Sequence, residues 1–265
     1  MKTKIIVTKQ DIISGLVGLG LKCGDNVIVH SSLSSFGYVT GGADTVIDAL
    51  MELLTEEGTL VMPSFNHGAP YEDGNIFDIT QTATVSGIIA DTFWRRAGVL
   101  RSMNPTHPFA AWGKNAEKYT AEHHLHDSMG ENSPLGLLWK DNGYCLLLGV
   151  GYGANTFHHF VETDTGASCI SKRGEVYPVR FANGSVSTAH TWGWREKSCP
   201  ITDGVRYGVF MEPHDRKTKI GKSTVTLYSL QAGYEIIKKC LSEGISGSPP
   251  CSACTTKPRK SEWTV

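Results

Sequence analysis

The sequence predicts an α/β layer structure. Between residues 26 and 62 a strand, a loop, a helix and a second strand follow one another, the order that layered α/β domains use. The helix in that order is the clearest in the chain, with Val46, Ile47, Leu50, Leu53 and Leu54 at i, i+1, i+4, i+7 and i+8. Further on, Tyr144-Cys145-Leu146-Leu147-Leu148-Gly149-Val150 is an apolar run of the kind a central strand needs.

The elements follow in order. Residues 9–22 predict a helix, with Ile12, Ile13, Leu16, Leu19 and Leu21 on one face. Asn26 to His30 reads as a buried strand, followed by a small, polar, glycine-bearing loop from Ser31 to Gly42. Asp44 or Thr45 is the expected cap of the next helix, which Gly58 ends. Thr59 to Met62 is then a strand closed by Pro63. Residues 64–82 form a long irregular segment, and loops of that length in compact domains serve function or are disordered. Helices are expected at 84–97 and 115–126, and another from Thr156 to Thr163 after the 144–150 strand. Residues 175–190 predict a hairpin about Asn183-Gly184. The segment 225–241 finishes with a helix. Residues 1–245 thus read as a single domain, and 246–265 as a loosely held polar tail.

Composition narrows the function. Of the 265 residues 40% are hydrophobic and 19% charged, ordinary for a folded chain. A formal charge of −1 supplies no field to attract nucleic-acid phosphates. No run approaches the ~18 apolar residues of a membrane span, and Ile5-Ile6-Val7 is too short for a secretory signal. Seven scattered cysteines, an odd number, suit a reducing compartment. A cytoplasmic protein is expected. Cys251-Ser252-Ala253-Cys254 has no second ligand pair nearby and carries no metal expectation.

Several residues have the chemistry for a site. In Asn155-Thr156-Phe157-His158-His159-Phe160-Val161-Glu162, a helix places His159 and Glu162 at i and i+3 on one face. A carboxylate there holds an imidazole in one tautomer and stabilises its protonated form, as a general base near neutral pH requires. The same pair also suits a structural histidine near a helix end. His158 points elsewhere on such a helix. The loops 31–42 and 151–155 match no nucleotide fingerprint, yet small residues let a backbone approach an anion or a pantetheine-like arm. Glu72, Asp73 and Asp78 give a cationic ligand a negative patch, or simply keep the loop soluble. His107, in a Pro-Thr-His-Pro turn, lines a cleft or fills a bend. His123, His124, His126 and Asp127 resemble a metal cluster but read as a solvated face, since consecutive helical residues do not converge.

The ordered motifs resemble those of the aminoglycoside 3-N-acetyltransferase family. They are Val29-His30-Ser31-Ser32-Leu33-Ser34-Ser35-Phe36-Gly37, Gly41-Gly42-Ala43-Asp44-Thr45-Val46 and Gly58-Thr59-Leu60-Val61-Met62-Pro63. Further on come Arg101-Ser102-x-x-Pro105-Thr106-His107-x-Phe109-Ala110-Ala111-Trp112-Gly113, and Leu148-Gly149-Val150-Gly151-Tyr152-x-x-Asn155-Thr156-x-x-His159-x-x-Glu162. The resemblance runs from about residue 8 to 242. It implies a three-layer α/β/α sandwich with a central mixed sheet. It also implies acetyl-coenzyme A as donor, with transfer to the 3-amine of a 2-deoxystreptamine ring and antibiotic resistance as the outcome.

By the same resemblance, Ser31, Ser32, Leu33, Gly41, Gly42, Arg101, Ser102 and Phe109 help to hold coenzyme A. His159 resembles the catalytic base, with Glu196 as the downstream carboxylate by position and Glu162 beside it. Glu72 and Asp73 are the expected acceptor contacts. The chain departs from the family in Asn104-Pro105-Thr106-His107-Pro108, where His-Pro-x-His-Ser is common, and in a shorter 64–82 loop. Direct transfer without an acyl-enzyme is expected, with no metal, no nucleic acid and no membrane, in a monomer or homodimer. The alternatives are a non-aminoglycoside amine as acceptor, a non-catalytic coenzyme A or nucleotide binding module, a metal hydrolase using His123, His126 and Asp127, and a cysteine nucleophile at Cys145 or Cys169.

Overall fold

The structure, a computed structural model, describes residues 5–66, 75–166, 170–171, 174–194 and 204–242. Seven strands make the main sheet: β1 (Asn26–Ser31), β2 (Thr59–Pro63), β3 (Leu100–Arg101), β4 (Phe109–Gly113), β5 (Tyr144–Leu148), β6 (Asp215–Ile220) and β7 (Ser223–Ser229). Their order is β6-β7-β5-β1-β2-β4-β3. The three central strands β5, β1 and β2 are parallel, and every outer pairing is antiparallel. The sheet is mixed, as expected.

Strand alternation divides the core in two. Val27 and Val29 of β1, Leu60 and Met62 of β2, and Leu146 and Leu148 of β5 face α1 (Lys9–Gly18), α2 (Gly42–Leu54) and α3 (Ile88–Trp94). Ile28, Val61, Cys145 and Leu147 face the other way. They meet α4 (Ala116–Thr120), α5 (Pro134–Lys140), α6 (Phe157–Asp164), α7 (Gly204–Met211) and α8 (Leu230–Ser242). Both faces of the central strands are thereby covered, and the result is a three-layer α/β/α sandwich.

Several boundaries differ from the sequence expectation. The first helix stops at Gly18, because Gly20 takes φ 86°, although Leu19 and Leu21 remain buried. The second begins at Gly42 with Gly41 as N-cap, and neither Asp44 nor Thr45 caps it. Asp44 instead bonds Arg96 at 2.6 Å, and the Thr45 hydroxyl donates to the Thr40 carbonyl. The 84–97 helix shrinks to α3. The 115–126 helix breaks after Thr120, because His123 is drawn inward to Ser102 and Ser128. Strand β5 ends at Leu148, where Gly149 turns the chain with φ 72° and a side chain would collide with the Ser35 and Ser223 hydroxyls. Elements α5, α7, β4 and β6 have no sequence expectation behind them, and 225–241 divides between β7 and α8. The hairpin stands as predicted, Val176–Arg180 pairing with Val186–His190, and Phe77–Asp78 adds a parallel third strand.

Strand order positions the site. From β1 the chain leaves toward β2 on one side, while β5 lies on the other. The carboxyl ends of β1 and β5 therefore border a topological switch point, where open α/β sheets bind ligands. His30 pairs with Leu147 there, and Ser31 with Leu148.

Candidate active site

Helix α6 starts just beyond the carboxyl end of β5, and its start is held by side chains. Asn155 Oδ1 accepts the Phe157 amide at 3.1 Å, and its Nδ2 donates to Tyr207 Oη at 2.8 Å. The Thr156 amide donates to His30 Nε2 at 3.4 Å, tying the helix to the end of β1. From Phe157 to Glu162 every residue is buried. The motif is thus also the anchor of the helix that presents it.

On that helix, His159 Nδ1 lies 2.9 Å from Glu162 Oε2, the i, i+3 pairing expected from the spacing. His159 is 8% exposed and Glu162 3%, so the pair sits in a low-dielectric surrounding where the contact fixes the orientation of the ring. The Trp192 ring tilts over His159 with centroids 4.1 Å apart. Contrary to expectation, His158 does not point away. Its ring packs edge-on against His159, centroids 4.0 Å apart, while its Nδ1 meets Tyr207 Oη at 3.2 Å. Burial, with His159 beside it, pushes the His158 imidazole well below the usual histidine range.

Two clefts meet at Ser31. One, of about 600 Å³, is lined by Ser31, Ser32, Leu33, Gly42, Tyr38 and Ile88, on the α2–α3 side of the sheet. Gly41 and Gly42 take φ 82° and 64°, and no side chain caps α2, so its first amides have no side-chain acceptor. The other cleft, of about 290 Å³, lies over the carboxyl ends of β1 and β2 and is lined by His30, Ser31, Pro63, Phe65, Val150 and Thr156. Phe65 packs on His107 at 4.9 Å, and His107 on Trp192 at 5.2 Å, which links this cleft to His159. Ser31, Ser32, Leu33 and Gly42 therefore line one cleft, and Gly41 is the N-cap just before Gly42 and lines neither.

Arg101, Ser102 and Phe109 are elsewhere. The Arg101 guanidinium donates to the carbonyls of Thr82 at 2.6 Å and Ser64 at 3.1 Å, and lies 4.2 Å over the Trp94 ring. The Ser102 hydroxyl meets His123 Nδ1 and accepts the Phe109 amide, each at 2.8 Å, and the Phe109 side chain is wholly buried. All three brace the far end of the sheet, and none lines either cleft.

Other expectations are corrected by burial. His123 is no part of a solvated face, for Ser102 Oγ and the Ser128 carbonyl occupy its two ring nitrogens. A metal site of His123, His126 and Asp127 thereby loses its first ligand. Among the described residues, one group has ligand atoms close enough for an ion, His158, His159 and Glu162, within 4.8 Å of one another. Cys145 is sealed in β5 and burial pushes its thiol up to about 12, which removes it as a nucleophile near neutral pH. Asp78 bonds Thr80 and Arg180. Asn104 turns the Pro-Thr-His-Pro segment by accepting the amides of Thr106 and His107. Glu72, Asp73, Cys169, Glu196 and the Cys251/Cys254 pair lie outside the described residues.

Sequence reasoning passed over His30 and Phe65 as site residues, while Trp192, in Trp192-Gly193-Trp194-Arg195-Glu196, reads from sequence as an aromatic beside a carboxylate that suits a cation, or as core. His30 was legible as part of a motif, but a histidine at a strand end carries no spacing signal of its own.

A sequence model of a family described as aminoglycoside 3-N-acetyltransferase matches residues 28–242, most of the chain. The chain belongs to that family. Among its relatives in the aminoglycoside 3-N-acetyltransferase family is the SPbeta prophage-derived aminoglycoside N(3')-acetyltransferase-like protein YokD of Bacillus subtilis. The two are 35% identical over 257 residues, 88% of this chain and 91% of the relative. The aminoglycoside N(3)-acetyltransferase VII of Streptomyces paromomycinus is 34% identical over 173 residues, 59% of this chain and 60% of the relative. Among solved acetyltransferase structures, that of aminoglycoside acetyltransferase AAC(3)-Xa superposes with a TM-score of 0.79 at 26% identity, covering 91% of this chain and 94% of that one. A histidine-to-alanine mutant of AAC(3)-IVa in complex with a gentamicin superposes with a TM-score of 0.78 at 25% identity, covering 96% and 97%.

Proposed function

We propose that this chain transfers the acetyl group of acetyl-coenzyme A to the 3-amino group of an aminoglycoside's 2-deoxystreptamine ring, conferring resistance in the cytoplasm. The observation that carries this reading is the buried His159–Glu162 pair beside two clefts that join at Ser31. The relatives' names and the aminoglycoside bound by a neighbouring structure support the acceptor class.

His159 acts as the general base. An ammonium has no lone pair, so the acceptor gives up one proton to solvent before it attacks and a second as its nitrogen bonds, and a positioned base contributes about 10²–10⁴-fold to that second loss. The nitrogen bonds to the thioester carbon, His159 takes the proton, and the carbon–sulfur bond breaks. The departing thiolate receives a proton from the imidazolium. Glu162 favours that imidazolium throughout.

Ser31, Ser32, Leu33, Gly41 and Gly42 hold the donor, in a groove with few charges that suits the pantetheine arm and beside amides that suit an anion. Glu72 and Asp73 hold the acceptor's remaining ammonium groups, and Glu196 is the downstream carboxylate that the family resemblance pairs with the base. One domain, residues 1–245, carries the whole activity.

The test is His159→Ala, assayed by release of free thiol and by product mass. Turnover falls by roughly 10²–10⁴ while coenzyme A binding persists; near-normal turnover overturns the assignment. An acceptor screen run alongside, spanning aminoglycosides and simpler amines, reads out the rival acceptor class. A non-catalytic binding module yields no product with any of them.

A further inference from the structure

His30 is the penultimate residue of β1, on the face that carries α6, just before Ser31, whose side chain belongs to the opposite face. It is 6% exposed and lines the smaller cleft, which shares Ser31 with the larger groove, and His159 is near enough to act on its charge. Its Nε2 receives the Thr156 amide proton at 3.4 Å and meets the Thr156 hydroxyl at 3.4 Å. A nitrogen that accepts an N–H carries a lone pair, so in the neutral ring the proton resides on Nδ1. Among the described residues Nδ1 has no hydrogen-bond partner, yet it is not one of the sealed polar atoms. It therefore opens on the cleft.

The ring stays neutral. Burial, with a smaller contribution from His159, pushes its imidazolium down to about 3. A neutral imidazole cannot compete with His159 for the acceptor's proton, but its N–H remains a fixed donor in a water-poor site. Such donors stabilise a developing oxyanion because they need no reorientation as charge appears.

We propose that His30 is a second catalytic side chain, whose Nδ1–H donates to the carbonyl oxygen of the bound acetyl thioester and stabilises the tetrahedral oxyanion. This rests on the acetyl-transfer reading above. As the amine bonds to the carbonyl carbon, the carbon–oxygen π pair moves onto oxygen, and His30 donates a hydrogen bond without giving up its proton. When the carbonyl re-forms, the carbon–sulfur electrons leave with the thiolate. His159 alone exchanges protons with the reacting nitrogen and sulfur. The two histidines divide the work between the two ends of the same bond change.

The test uses three variants of the full chain, each first checked for a cooperative thermal transition. His30→Asn places an amide N–H near the position of Nδ1, His30→Gln places one nearer Nε2, and His30→Ala removes the donor. The expected result is a loss of roughly 10²–10³ in kcat for Ala, with coenzyme A affinity within about threefold. Asn recovers at least tenfold over Ala, and Gln does not. A second readout needs no turnover: with no amine present, the carbonyl stretch of bound acetyl-coenzyme A lies lower in wild type and His30→Asn than in His30→Ala. Equal activity of Ala and Asn, a weakened donor affinity with kcat intact, or an unshifted carbonyl band overturns the proposal. If His159→Ala abolishes turnover while His30→Ala does not, only this inference fails. If wild type forms no acetylated product at all, both readings fall.

Discussion

His159 and Glu162 face each other one helical turn apart, Nδ1 to Oε2 at 2.9 Å, with both side chains almost wholly buried. At that depth the carboxylate orients the ring through a contact stronger than it would be at the surface.

Glu162→Gln keeps the shape and removes the charge. We expect kcat to fall roughly 10- to 100-fold, about 1.4–2.7 kcal/mol of barrier, with coenzyme A affinity unchanged. Steady-state kinetics with calorimetric titration of the donor separates the two. Unaltered kcat contradicts the role given to the pair.

Tyr207 stands behind the same helix, with its hydroxyl on Asn155 Nδ2 and His158 Nδ1. Tyr207→Phe strips both of a buried partner, at a cost of about 1–3 kcal/mol. Urea unfolding reads the loss directly. Turnover falls as well, because the start of α6 loses part of its anchor, and the wild-type unfolding midpoint would refute the account.

Arg101 is assigned to the frame and not to the donor. Arg101→Lys cannot reproduce contacts to the Thr82 and Ser64 carbonyls together with the stack on Trp94. The expected outcome is about 2–3 kcal/mol of lost stability with donor affinity within threefold. A large selective loss of coenzyme A affinity in a protein of wild-type stability would restore it to the donor site.

Acid weakens the fold through histidines buried neutral. Burial pushes His30 from 6.5 down to about 3 and His123 from 6.5 down to about 4. Between about pH 6.5 and 4 the unfolded chain binds protons that the folded chain refuses, so stability falls as pH falls. The slope is at most ~1.4 kcal/mol per pH unit for each ring. Urea midpoints at pH 7 and pH 5 test this, and equal midpoints contradict it.

Much of the frame was legible. Strands β1, β2 and β5 announce themselves as apolar runs, α2 by its period, and the hairpin by Asn183-Gly184, since each of these signals is local. The His159–Glu162 contact was legible for the same reason, as helix geometry alone brings i and i+3 together. Short or irregular elements such as α5 and β4 were not, because their stability comes from what they pack against. Motif resemblance places Arg101 and Ser102 at the donor, whereas the contacts they make lie within the frame, for a related reason. A polar residue beside a glycine-rich motif reads the same whether it meets a ligand or a buried carbonyl, and only its neighbours in space distinguish the two.

By itself the sequence determined the family, the layered fold and the helix that carries His159. Tertiary structure alone decided what covers the two faces to which His30 and Ser31 belong, and that two clefts share Ser31. The physical reason is that strand alternation assigns faces but not occupants. Which helix covers each face, and which strand end stands next to which, follows from long-range packing that no local pattern encodes.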